Sequence, residues 1–97
     1  MKLPAHSEIV YTSLLLVSRA LDTYYSLVNE AFERRDRKML QALYKSALEW
    51  HQSINNRRLN YDDPEITPII RLNLGRAFYE AATLLKVIEL KLVSVKR

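Results

Sequence analysis

Residues 10–31 read VYTSLLLVSRALDTYYSLVNEA. Within them Val10, Leu14, Val17, Leu21, Tyr24, Val28 and Ala31 recur at alternating spacings of four and three. An α-helix turns through about 100° per residue, so that spacing lays all seven on one stripe. The seam predicts a long first helix over about 7–34, with Ser7 as its N-cap. Four consecutive charges, Glu33-Arg34-Arg35-Asp36, then interrupt it. Asp36 is a suitable N-cap for a second helix over 36–57, with Leu40, Leu43, Ala47, Trp50, His51 and Ile54 on one side. No glycine or proline lies at 33–36, so one continuous helix is the alternative. A tight turn is favoured, because an uninterrupted helix would leave its seam unburied.

The segment Asn55 to Asp63 is polar and ends in Asp63-Pro64-Glu65, and Thr67-Pro68 repeats the cap-then-proline signal four residues later. We expect the third helix over 67–95, with Ile70, Leu74, Ala77, Ala81, Leu84, Ile88 and Val95 as its seam. The fold class that follows is all-α: an antiparallel three-helix bundle forming a single domain, 1–97.

Composition agrees. The 97 residues are 48% hydrophobic and include one glycine, three prolines and no cysteine. One glycine cannot punctuate the turns of a sandwich or barrel, nor build a phosphate-cradling loop. Disulfides, thiolate nucleophiles and cysteine zinc sites are excluded with the cysteines. The segment Met1 to Glu8 does not lead into a secretory signal. The apolar run after it contains Thr12 and Ser13, reaches Arg19 and Asp22, and has no A-x-A-like site. No stretch attains the roughly 18–20 apolar residues of a membrane span. These features set the expectation of a soluble, cytoplasmic chain without a transmembrane segment.

Catalytic chemistry finds little support. His6 and His51 each lack a second imidazole three or four residues away, so no metal pair forms, and no Ser/His/Asp grouping stands out. His51 reads as a bundle residue. Asp62, Asp63 and Glu65 lack the ligand number and turn glycine of a calcium loop, and read as caps. We expect no enzyme, no metal and no cofactor.

Two surfaces remain as candidates for binding. Almost opposite its seam, the third helix carries a second apolar set, Leu72, Tyr79, Leu90 and Val93, with Lys86 among them and Gly75 and Ala82 beside them. Either this helix is central and its neighbours cover both faces, or the second face takes a partner helix or a second copy of the chain. The slightly favoured reading is a partner-binding face. The other surface is a basic pole. Arg34, Arg35, Arg37 and Lys38 at the first turn would be joined by Lys91, Lys96 and Arg97, seven cations against Glu30, Glu33, Asp36 and Glu89. With a net charge of +4, such a pole would suit an anionic partner, nucleic acid included. Ordinary solubility and helix-end charge explain the same residues, and that is the favoured account.

The order and lengths of the three helices over roughly 9–95 resemble flagellar type III export chaperones of the filament-cap kind. The most local matches are Ala31-Phe32 leading to Met39-Leu40, and Ile69-Ile70-Arg71-Leu72. That resemblance implies an adaptor that holds a substrate on an apolar helical surface. About 20–88 also resembles MIT domains, three-helix modules that bind helical tails. The matching residues are Leu43-Tyr44, Ala47-Leu48, Phe78, Ala82, Leu85 and Lys86, with Ala81 where that family commonly has arginine. Both imply a non-enzymatic helical protein-binding module, chaperone-like or adaptor-like. The class-level alternative is a small basic nucleic-acid-binding protein using 34–38 and 91–97.

Overall fold

The computed structural model describes residues 14–95, with side chains from 18 onward. Three helices account for most of them: α1 (Leu14–Glu33), α2 (Arg37–Arg58) and α3 (Pro68–Val95). Ser7, Val10 and the side chains of Leu14 and Val17, assigned to the cap and seam of the first helix, lie outside the described residues, as do His6, Lys96 and Arg97. The second and third helices fall within a residue of the boundaries expected for them.

The turn from α1 to α2 shows how a chain short of glycine reverses. Arg35 takes the left-handed backbone at φ 55°, the conformation usually given to glycine at a helix end. Its N–H donates to the Phe32 carbonyl at 3.0 Å, and the N–H of Asp36 reaches back to Ala31 at 2.9 Å. These two bonds close a Schellman motif and satisfy carbonyls that the last helical turn leaves open. Asp36 then begins α2, its Oδ1 accepting from the Met39 N–H at 3.1 Å. The two helices are therefore separate.

The second connection is built on polar contacts. Asp63 accepts the Glu65 N–H at 2.9 Å and pairs with Arg57 at 2.6 Å, so it caps a turn and not the helix itself. Ile66 is buried and plugs this end of the core. Thr67 is the actual cap of α3: its Oγ1 accepts from the Ile70 N–H at 3.2 Å, and Pro68 follows at the first helical position.

The seam residues meet in one core. Leu21, Tyr24, Val28 and Ala31 of α1 are buried, as are Leu40, Leu43, Ala47, Trp50 and Ile54 of α2. From α3 come Leu74, Ala77, Ala81, Leu84, Leu85 and Ile88. Ala47, Ala77 and Ala81 are fully enclosed, and α2 and α3 form the most extensive pairing. Small side chains let helix backbones approach, which suits that pairing. Tyr24 brings one hydroxyl into the core and satisfies it by donating to the Leu43 carbonyl at 2.6 Å. Chain direction follows from contacts at the two ends. Lys91 of α3 reaches Phe32 of α1, while Arg58 of α2 reaches Phe78 of α3, so α1 and α3 run parallel with α2 opposed. No helix among the described residues is long and apolar enough to cross a membrane.

Candidate partner-binding face

Helix α3 faces α1 and α2 with one side and solvent with the other. The second apolar set lies on the solvent side: Leu72 is 57% exposed, Tyr79 73%, Leu90 63% and Val93 65%. Ala82 and Lys86 are exposed along the same line, and Gly75 is half-exposed. Among the described residues neither α1 nor α2 covers this stripe, so a central position of α3 with neighbours on both faces does not account for it. With Pro68 at its head, the line runs 68, 72, 75, 79, 82, 86, 90, 93. Steps of three and four are the spacing of a helix–helix seam, here left open to solvent.

A cleft of about 620 Å³ opens at the N-terminal half of this line. It is lined by Arg58, Tyr61, Pro68, Arg71, Leu72, Gly75, Arg76 and Tyr79. Four of these belong to the stripe; Arg58 and Tyr61 come from the end of α2 and the loop after it. The Arg71 guanidinium stacks over Tyr61 at 4.3 Å and donates to the Arg58 carbonyl. Arg58 in turn lies over Phe78 at 4.6 Å, and its Nη2 donates to Asn55 Oδ1 at 2.9 Å. Among the described residues, the Nε of Arg58 is buried with no acceptor. Next to it, Arg57 takes Asp63 at 2.6 Å and Glu65 at 3.9 Å. Among the described residues no carboxylate pairs with Arg58, Arg71 or Arg76. The cleft therefore joins an apolar floor to guanidinium groups that have no counter-charge among the described residues.

Gly75 sits in the floor of this cleft. Among the described residues, a Cβ built on it would meet only the Arg58 Cδ, at 3.9 Å, which is ordinary contact, and its φ is not positive. Neither backbone conformation nor internal packing requires glycine there, although mid-helix glycine costs about 1 kcal/mol relative to alanine.

The basic pole is assembled differently from its appearance in the sequence. Arg34 is paired with Glu30 at 2.7 Å. Arg35 and Lys91 both lie over the Phe32 ring, at 4.8 and 4.4 Å, so the topology does bring the first turn and the end of α3 together. Arg37 joins Arg35, Ser94 and Val95 around a smaller cleft of about 430 Å³, and Lys38 is exposed. Of the four nearby acids, Glu30 is engaged by Arg34, Asp36 by its cap and Glu89 by the Tyr44 hydroxyl at 2.9 Å. That last bond is the main cause holding the Tyr44 phenol above its usual value.

Among the described residues, no three His, Cys, Asp or Glu side chains gather as a metal site, and no polar or charged residue is fully buried. His51 stacks on Phe78 with centroids 4.4 Å apart. The residues not anticipated from sequence are Arg58, Tyr61, Pro68, Arg71 and Arg76. On a helical wheel Pro68 falls within the stripe and Arg76 next to it. Arg58 and Tyr61 are brought there only by the turn after α2. No protein-family model matches the chain, and no curated protein or solved structure does so either.

Proposed function

We propose that this chain is a non-enzymatic helical protein-binding module whose outer α3 face docks a helix. The observation that carries the reading is the open seam, in which Leu72, Tyr79, Leu90 and Val93 stand exposed at helix-pairing intervals beside an apolar cleft. Scattered surface apolar residues need no explanation, but a continuous stripe opposite the core does. The resemblances to export chaperones and to MIT domains support the same class of activity. The lack of cysteine suits a cytoplasmic setting. Nucleic-acid binding at the basic pole is less well supported, since Arg34 is neutralised and Arg35 and Lys91 are drawn onto Phe32.

A photo-crosslinking amino acid in place of Tyr79, expressed in the source cell, tests the reading. The same group in place of Gln52, exposed on α2, is the comparison. A discrete polypeptide adduct from position 79 and none from position 52 is expected. No adduct from either position would overturn the proposal.

A further inference from the structure

Six positions of the exposed α3 seam form a pattern that reads the same in both directions, with Pro68 and Ala82 outside the mirror pairs. Positions 72, 75, 79, 86, 90 and 93 are separated by 3, 4, 7, 4 and 3 residues, symmetric about the Ala82–Thr83 bond. A helix laid antiparallel on a copy of itself about that point pairs each position with its mirror. Leu72 shares a layer with the partner's Val93, Gly75 with the partner's Leu90, and Tyr79 with the partner's Lys86. At 100° per residue, mirror positions fall on alternate sides of the stripe's midline, the interdigitation that antiparallel helix pairs use. We propose that the occupant of the α3 face is a second copy of this chain in that antiparallel register. The inference rests on the reading of the face as a docking surface and names what docks.

The chemistry along the seam is self-complementary. Gly75, which the chain's own packing does not require, forms the floor of a cleft, and the layer opposite supplies the exposed Leu90 to fill it. Tyr79 and Lys86 offer each other a ring face and an ammonium, twice by symmetry. Ala82 lies at the two-fold axis, small enough for close approach. The charges match as well. Glu89, exposed beside Leu90 and on the side of α3 that faces α2, arrives at the level of Gly75 in the other copy. Arg58 lies over that glycine and has no carboxylate partner among the described residues. The cleft thus lacks an apolar side chain next to an acid, and Glu89-Leu90 presents that pair at the symmetry-related place.

The contact from Leu72 to Val93 spans about 32 Å of helix. One helix face on each side is at the lower end of stable interfaces, which bury about 800 Å² per partner. A contact of that extent fits a reversible, concentration-dependent dimer.

Introduced thiols test the register, because the chain has no cysteine to interfere. In the antiparallel dimer, the two copies of residue 82 face each other at the axis, while the two copies of residue 72 lie about 32 Å apart. Under mild oxidation Ala82→Cys is expected to give a disulfide-linked dimer and Leu72→Cys to stay monomeric. Adding Leu90→Glu to Ala82→Cys is expected to weaken linkage by roughly 30-fold or more, with helicity by circular dichroism unchanged. Equal linkage at both positions would mean a parallel pairing and overturn the proposal. Failure of Ala82→Cys to link, with wild type a monomer up to roughly 1 mM, would overturn it too. In that case a heavier adduct from position 79 in cells leaves the docking face intact with a foreign partner, whereas no adduct removes both. Salt-sensitive oligonucleotide binding lost on Arg76→Ala would equally overturn the choice of occupant.

Discussion

The Arg58 side chain crosses Gly75 at ordinary contact distance, its Cδ 3.9 Å from the point where a Cβ on that glycine would stand. The one glycine of the chain is thus neither conformationally needed nor sterically forced. Gly75→Ala is expected to raise stability by about 1 kcal/mol. In a domain of this size that corresponds to a melting temperature higher by about 4–8 °C. A lower melting temperature by circular dichroism would mean that internal packing needs the glycine after all.

The exposed stripe should be separable from the core. Tyr79→Glu and Leu90→Glu are each expected to change monomer stability by less than about 0.5 kcal/mol, because neither side chain contributes to the buried cluster. Ala81→Glu, one position from the stripe but fully enclosed, is expected to unfold the bundle. Chemical denaturation of the three variants checks the contrast. Unfolding of the Tyr79 variant would place the stripe in the core.

Tyr24 gives the fold a dependence on alkaline pH. Burial holds its phenol above the ordinary value of 10, and the neutral hydroxyl donates to Leu43. Burial also raises Tyr25, with Glu80 adding to it, and the Glu89 carboxylate raises Tyr44. A folded-state value above the unfolded one means that the contribution is whole below about pH 10 and is lost as pH rises through the folded value. Tyr24→Phe is expected to cost about 1 kcal/mol at neutral pH and to flatten the alkaline loss. Urea midpoints between about pH 8 and 11 measure both. An unchanged slope in the variant would contradict the assignment.

The first turn makes a local prediction. Asp36→Ala removes the acceptor of the Met39 N–H and is expected to cost about 1 kcal/mol. Arg35→Val forces a β-branched residue into the left-handed backbone and is expected to cost more, whereas Arg35→Gly should be tolerated. The order of the three melting temperatures tests the Schellman geometry.

Much of this architecture is written in the chain because helical periodicity is a local signal. The 4–3 spacing from Leu21 to Ala31 and the set from Leu40 to Ile54 mark residues that the fold buries, and Asp36 and Thr67 mark where helices begin. Leu85 escapes such a reading. It stands beside Leu84, and α3 must bury a wider arc than one seam because it packs on two helices. Ile66 escapes for the opposite reason: an isolated apolar residue in a polar loop has no period. The turn at Arg35 is hidden because nothing marks an arginine as left-handed. On the candidate face, periodicity places Leu72, Gly75, Tyr79 and Leu90 together. The cleft needs Arg58 and Tyr61 as well, and only the reversal between α2 and α3 brings them to Arg71. The symmetry of the seam is present in the sequence but has no meaning until one side of α3 is known to be open.

Sedimentation equilibrium of the wild-type chain from roughly 1 μM to 1 mM, beside Leu90→Glu, tests the docking of α3 on its own copy most directly. A reversible monomer–dimer equilibrium in the wild type, shifted to monomer in the variant, is the predicted result. A wild-type chain that remains monomeric over the whole range would contradict it.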